Sequence, residues 1–370
     1  MLSKAIPKQI FTANRWLNRQ LWQQDSPAFF IDPLLESINP MWVRGQVRAQ
    51  VVKVRSETPD TRTFTLRPSK RWKGFEAGQH ASVTAEIKGV RQTRTFSLSS
   101  GPERFKRDGL ITFTIKRIED GRVTPWLHEQ LKPGDVVGLS EAFGEFTLPC
   151  DKTPLFYLAG GSGITPILSH LESLAASNDT REIGFVYMVR DREHLIAANR
   201  IESLQSRLSG LKVHIIYTNH REKTPALSAA DVRKVAESLA QVEGYLCGPI
   251  GLLDYVRPVL DKLGARPDHF HQALFTPPVV QVEDGGAGSL VRAGTGEVME
   301  GDGKSTLLEI AEQGGLKPTH GCRQGVCRQC SCKKTSGVVI NRLNGQLSGP
   351  GEETIQPCIS LPQGAVTLEL

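Results

Sequence analysis

No stretch of this chain approaches the ~18 consecutive apolar residues of a membrane-spanning helix. Its first residues, MLSKAIPKQI, lack the apolar core of a secretory signal. Those two absences predict a chain that stays in the cytoplasm. Neither sign of charge dominates: 45 Lys and Arg stand against 39 Asp and Glu, a net charge of +6. No basic stripe or recognition motif accompanies that excess, which argues against nucleic acid as a partner. Cysteine is sparse, seven in 370 residues, so this is no small module held by disulfides. With 39% hydrophobic and 23% charged residues, the chain is long enough for two or three globular domains.

The few cysteines are not scattered. Cys322, Cys327 and Cys330 form C-x4-C-x2-C within THGCRQGVCRQC, and Cys358 follows in TIQPCIS. In a reducing compartment, clustered thiols are metal ligands or redox groups more often than bridges. The spacing is the plant type for a 2Fe–2S cluster. Such a site needs a tight loop with backbone N–H groups turned toward sulfur, for which Gly321 and Gly325 supply unusual dihedrals. Structural zinc, the competing reading, usually takes C-x2-C pairs on both sides of a spacer. Here a triple faces a single cysteine. Cys332, two residues beyond Cys330, reads as a packed free thiol.

Before the cysteines, STLLEIAEQ reads as a helix that Ser305 can cap, with Glu309 and Glu312 toward water and Leu307, Leu308 and Ile310 toward a core. With the cysteine loop it resembles a plant-type ferredoxin domain over about the last 85 residues. Upstream, LFYLAGGSGITPILSHLESLAA runs an apolar strand into Gly160-Gly161-Ser162-Gly163. Thr165 then stands as cap and Pro166 as first helical residue. The free N–H groups and positive dipole end of such a helix suit a pyrophosphate, although a short glycine pattern alone carries little weight. This one is followed by the strand GFVYMVRDREHLI and by Cys247-Gly248-Pro249, and the set resembles the pyridine-nucleotide half of the ferredoxin–NADP reductase superfamily. The resemblance implies that Gly161, Ser162, Gly163, Thr165, Pro166, Cys247, Gly248 and Pro249 lie along the nucleotide. It places Cys247 by the nicotinamide in a catalytic position; by itself Cys247 reads as a buried small hydrophobe. Arg190 and Arg192, with Arg200 beyond, offer guanidinium groups to a 2′-phosphate, which favours NADPH over NADH.

A hydride donor releases two electrons and a 2Fe–2S centre accepts one, so a flavin is expected between them. The segments GQVRAQVVKVRSETPDTRTFTLRP, ASVTAEI and LITFTIKRI alternate apolar and polar residues between turn signals, predicting a small antiparallel barrel. Within it, Arg94-Thr95-Phe96-Ser97 matches the superfamily's R-x-Y/F-S/T flavin motif. Arg94 can pair with a flavin phosphate, Phe96 can lie against the isoalloxazine, and the Ser97 hydroxyl can serve catalysis near N5. DGRVTPWLHEQLKPGD resembles the segment that closes over the flavin pyrophosphate, with Gly121, Val123 and Thr124 in matching places. FAD is the cofactor chosen, and FMN is the alternative the spacing leaves open. One departure stands out: HFHQALF carries Ala273 where many members place an acidic residue two positions before a final aromatic, here Phe275.

The expected architecture is multidomain. It comprises a leading amphipathic segment (1–42), an antiparallel β-barrel flavin domain (43–149) and an α/β parallel-sheet nucleotide-binding domain (150–275). A Pro- and Gly-rich linker (276–288) on which the ferredoxin can swing precedes a β-grasp 2Fe–2S ferredoxin domain (289–370). In KQIFTANRWLNRQLWQQ, Ile10, Ala13, Leu17 and Leu21 recur at helical intervals among basic and aromatic residues. Residues 1–40 can therefore lie on the inner face of a membrane or pack on the barrel. From Gly285 to Leu370, eight Lys or Arg balance eight Asp or Glu, so the ferredoxin does not dock by acidity alone. The leading segment joined to MWVRGQVRAQVVKVRSETPDTRTFTLRP resembles bacterial NADPH oxidoreductases that serve membrane fatty-acyl desaturases. That resemblance implies a di-iron desaturase as electron acceptor and a part in fatty acid desaturation and lipid metabolism. The alternatives are a reductase for a soluble aromatic-ring or acyl-CoA oxygenase and, in another class, a non-catalytic metal-binding or redox-sensing module.

Overall fold

The computed structural model describes residues 35–43, 47–87, 89–119, 121–218, 227–274, 288–321, 323, 325, 330–343 and 345–370. The amphipathic stretch before residue 35, the linker to residue 287, Phe275, Cys322 and Cys327 lie outside the described residues. Three sheets, each with its own apolar core, follow one another along the chain. No helix among the described residues is long and apolar enough to cross a membrane.

The first sheet is antiparallel and contains β1 (Val47–Thr58), β2 (Thr61–Pro68), β3 (His80–Ile87), β4 (Val90–Ser97), β5 (Ile111–Lys116) and β6 (Val136–Leu139), in the order β4-β3-β6-β1-β2-β5. A bridge between Leu98 and Phe113 joins its two edges and closes it into a barrel. Period-two alternation turns Phe64, Leu66, Ile111, Phe113 and Ile115 inward. An alternating strand ordinarily gives its other face to water, but here Thr61, Thr63, Thr65, Thr112 and Thr114 are buried as well. Two short helices, α1 (Pro102–Asp108) and α2 (Val123–Gln130), flank β5.

The second sheet is wholly parallel: β7 (Leu155–Gly160), β8 (Ile183–Val189), β9 (Leu211–Tyr217), β10 (Glu243–Gly248) and β11 (Phe270–Leu274), ordered β11-β10-β7-β8-β9. Helices α3 (Ile164–Ala176) and α4 (Ala198–Arg207) cover one face, while α5 (Ala229–Arg233) and α6 (Ile250–Lys262) cover the other. Burial on both faces explains why every residue of β7 and β8 is buried. The strand order reverses between β7 and β10, the position at which open parallel sheets hold ligands beyond their carboxyl ends. The glycine loop and Cys247-Gly248-Pro249 meet there.

The α3 side of this domain is bonded to the barrel. The Glu172 carboxylate accepts from the Gly101 N–H (2.8 Å) and from Arg200 (2.6 Å), and Arg200 also donates to the Ser99 carbonyl. Ser169 Oγ donates to the Ser100 carbonyl at 2.8 Å and Ser173 Oγ to Glu103 at 2.9 Å. Buried His170 meets the Phe146 carbonyl through Nε2 at 3.0 Å. A carbonyl only accepts, so Nε2 carries the proton and Nδ1 accepts from Tyr157 Oη at 3.2 Å.

The third sheet is mixed: β12 (Ser289–Arg292), β13 (Val298–Glu300), β14 (Cys332–Asn341), β15 (Glu353–Ile355) and β16 (Ser360–Leu368), ordered β13-β12-β16-β14-β15 with β12 and β16 parallel. It carries α7 (Leu307–Gln313), and Leu307, Leu308 and Ile310 are buried as the pattern requires. The cap is Thr306 rather than Ser305, because Thr306 and Glu309 form a reciprocal capping box while the Ser305 N–H bonds Asp302. Glu309 is thus spent on the cap, and Glu312 pairs with Arg323. Lys334 is fully buried. Its ammonium donates to the carbonyls of Gly337, Gly349 and Gly351 and pairs with Glu353.

Candidate functional site

A cavity of about 900 Å³ opens where the three domains meet. The barrel contributes Arg94, Thr95, Phe96 and Ser97 from edge strand β4, and Gly121, Val123 and Thr124 from the start of α2. The nucleotide domain contributes Gly161, Ser162, Thr165 and Pro249, and the ferredoxin contributes Gly325 and Leu343.

Local chemistry holds each wall in place. The Thr95 hydroxyl lies 3.0 Å from that of Ser82 on β3, and Arg94 donates to the Thr93 carbonyl at 2.8 Å. Phe96 meets Phe113 edge-on at 6.4 Å, so one flank of its ring rests on the barrel core. Thr124 Oγ1 accepts from the Ile118 N–H at 2.9 Å, folding the turn that carries Gly121 against α2. In the glycine loop a Cβ at Gly163 would collide with the Cys247 carbonyl, and Gly161 takes a φ of +52°, the left-handed region that favours glycine. Small residues here let β7, β10 and a ligand approach one another.

Two expectations about this loop change in detail. Helix α3 begins at Ile164 with Gly163 as its cap, so Thr165 is the second helical residue and Pro166 the third. The Thr165 hydroxyl donates back to the Ser162 carbonyl at 3.1 Å. Pro166 still falls in the first turn, where a missing N–H leaves no bond unmade. Arg200 is engaged with Glu172 and Ser99 at the domain interface, which accounts for its guanidinium without a phosphate.

Cys247 is fully buried, level with Ala159 and Ala273 on the neighbouring strands and behind the cavity wall; burial pushes its thiol pKa well up, so it stays protonated. Gly248 ends β10 beside Gly160. Arg190 and Arg192 lie exposed at the carboxyl end of β8, outside the cavity wall but on the same sheet edge as the glycine loop. Between them, Asp191 accepts from both the backbone N–H and Nδ1 of His194, at 3.1 and 2.7 Å.

Cys330 and Cys358 are both buried, with sulfurs 3.3 Å apart. Two thiolates on one tetrahedral ion, with bonds of about 2.3 Å, stand roughly 3.8 Å apart, so the pair fits a shared metal after a small relaxation. Leu308, Ile359 and Leu343 enclose them, and Gly325 takes a φ of +75° where a Cβ would press on Ile359. This donor set and its apolar surround fit an iron–sulfur cluster. Cys332 begins β14 and packs against the ferredoxin core, as a free thiol would.

Sequence reasoning left several cavity residues unassigned. His80 pairs with Ser97 across β3 and β4, and its Nε2 is buried without a hydrogen-bond partner. Desolvation lowers its pKa to about 4, so it is neutral at physiological pH. Lys116, Arg122, Glu145 and His271 also line the cavity. The alternation of β5 around Ile115 was the one signal that could have placed Thr114 and Lys116 on a common face.

Comparison with known proteins agrees with this geometry. The family described as "Oxidoreductase FAD-binding domain" matches residues 48–148, "Oxidoreductase NAD-binding domain" matches 157–258, and "2Fe-2S iron-sulfur cluster binding domain" matches 291–363. The chain is 27% identical to an NADPH oxidoreductase of Mycobacterium tuberculosis over 92% of its own length and 88% of the relative's. Against the glycine betaine monooxygenase reductase subunit of Pseudomonas aeruginosa it is 28% identical, covering 90% and 98%. Against the NADH oxidoreductase HCR of Escherichia coli it is 30% identical, covering 87% and 97%. The chain belongs to the ferredoxin–NADP reductase superfamily, as an NAD(P)H oxidoreductase with an FAD domain and a C-terminal 2Fe–2S ferredoxin domain.

Proposed function

We propose that this protein passes electrons from NADPH through FAD and a 2Fe–2S cluster to an external di-iron oxygenase, with a membrane acyl-CoA desaturase as that acceptor. One observation carries the electron path: a single cavity takes walls from the Arg94–Ser97 strand, the glycine loop and the cluster-bearing domain. Bound FAD takes a hydride and gives electrons singly to the cluster. Arg94 and the Gly121–Thr124 turn hold its phosphates, Phe96 supports the ring, and Ser97 supplies a hydroxyl beside it. The Gly161–Pro166 turn and Gly248-Pro249 hold the dinucleotide, and Cys247 packs behind the nicotinamide site. Cys322, Cys327, Cys330 and Cys358 are the cluster ligands, and the domains divide at residues 43, 150 and 289.

Preference for NADPH rests on the turn after β8. An acidic residue that serves a ribose 2′-hydroxyl must be free to accept from it, but Asp191 is committed to His194, while Arg190 and Arg192 stay exposed. The desaturase is supported by the resemblance carried by residues 1–42 and the strand that follows. A soluble oxygenase is the second reading, supported by the monooxygenase reductase relative. Under anaerobic conditions NADPH is expected to bleach the flavin band and raise the EPR signal of a reduced cluster; failure of both removes the electron path. Adding the protein and NADPH to membranes carrying the desaturase is expected to give desaturated acyl-CoA, and less when residues 1–40 are deleted. Rapid cytochrome c reduction without that product transfers the assignment to a soluble oxygenase.

A further inference from the structure

The buried polar face of the barrel holds a chain of hydroxyls that leads out of the cavity. Thr114 lines the cavity, and its Oγ1 lies 2.8 Å from Thr63 Oγ1 on the adjoining strand. Thr63 Oγ1 lies 2.6 Å from the carboxylate of Glu57 on β1. The Glu57 side chain is only 8% exposed and is paired with that of Arg55, which is 48% exposed, so the chain ends at the rim of the protein. Ser99 Oγ joins as a branch, 2.9 Å from Thr114 and 3.0 Å from Thr112. Tyr187 on β8 donates its hydroxyl to the Gly161 carbonyl at 3.0 Å, and its phenol is pushed up by burial and further by the Glu57 charge.

The carboxylate fixes the polarity of the chain. Thr63 gives its single proton to the Glu57 carboxylate, so Thr114 must be the donor to Thr63. Each hydroxyl on the path therefore points from the cavity toward the carboxylate, and Thr114, which accepts from Ser99, keeps one further lone pair to take a proton. A reduced flavin that gives up two electrons must also release a proton, and this path runs in the required direction.

We propose that Thr114, Thr63 and Glu57 relay the proton that leaves the flavin site during reoxidation. The step balances: the N–H bond of the reduced ring breaks as its second electron passes to the cluster, and its proton goes to the Thr114 oxygen. The Thr114 proton moves to Thr63, and the Thr63 proton moves to Glu57, which then exchanges with water beside Arg55. The two electrons leave one at a time through the cluster and end on two equivalents of a one-electron acceptor. The relay rests on the flavin reading above and adds a specific exit to it.

The experiment follows reoxidation of NADPH-reduced holoprotein by ferricyanide in H2O and D2O. Thr63→Val is expected to slow reoxidation about 100-fold or more, within the range for a lost proton-transfer group, and to change the solvent isotope effect. Thr63→Ser, which restores the hydroxyl, is expected to recover both. Redox-difference infrared spectra of protein labelled with 13C-glutamate are expected to show a transient carboxylic-acid band that disappears in Glu57→Gln. Wild-type rate and isotope effect in a folded Thr63→Val, or no such band in the wild-type chain, overturns the relay. The infrared measurement decides the matter if Thr63→Val does not fold. Failure of the electron path itself looks different, because wild-type flavin would then not bleach with NADPH.

Discussion

The barrel meets its two neighbouring domains in different ways. Toward the nucleotide domain it is fastened by Glu172, Arg200, Ser169, Ser173 and His170, whose bonds span the seam along one side of α3. Toward the ferredoxin, the cavity wall receives, among the described residues, only Gly325 and Leu343. Their work explains the contrast. Hydride transfer needs reacting atoms held within about 3–3.5 Å in a fixed orientation, so the flavin and nicotinamide halves must not shift. Passing single electrons to a cluster makes no bond between the partners and tolerates a lighter contact.

The largest break in this comparison comes from the ferredoxin side. Cys330→Ser removes one of the two buried sulfurs and is expected to abolish the cluster absorbance and EPR signal, together with cytochrome c reduction. NADPH is still expected to bleach the flavin, because the fastened half is untouched. Loss of flavin bleaching in a folded Cys330→Ser protein would show that the two contacts are not independent.

The converse change is smaller. Arg200→Ala frees the Ser99 carbonyl across the seam and removes the cation beside Glu172, which keeps its bond from the Gly101 N–H. Small misplacement of reacting groups costs up to about 100-fold in rate, so stopped-flow hydride transfer is expected to fall roughly 10- to 100-fold with little change in KM for NADPH. Electron transfer from photoreduced flavin to the cluster is expected to keep its wild-type rate. A proportional loss in both steps would mean that the seam supports the whole molecule rather than the nicotinamide geometry.

The same contrast bears on what could be read from the chain. Motif loops are local, so the glycine loop, the Arg94–Ser97 strand and the spacing of Cys330 and Cys358 were visible in order, and so were the three sheets around them. The seam was not, since Arg200 looks like any surface cation until α4 places it against Ser99. The cap moved from Ser305 to Thr306 because two adjacent hydroxyl residues both suit an N-cap and only the structure shows which one Glu309 answers. Lys334 gave no signal, since a lysine in an alternating strand reads as solvated until three carbonyls close around it. The burial of the threonine face gave no signal either: alternation gives a second face but not what covers it.

The mildest test of the seam uses pH. Desolvation lowers the pKa of buried His170 from 6.5 to about 4, and that of His80 likewise to about 4. Folding holds both imidazoles neutral, so between pH 6.5 and 4 the unfolded chain binds protons that the folded chain refuses. Stability contributed by each neutral histidine is therefore complete above pH 6.5 and lost as pH falls toward 4. By pH 5 each histidine costs about 2 kcal/mol. His170→Gln keeps a donor for the Phe146 carbonyl but no longer titrates, so urea titrations at pH 7 and pH 5 are expected to show about 2 kcal/mol less acid destabilisation than wild type. An unchanged difference would mean that acid opens the molecule elsewhere before it reaches the fastened interface.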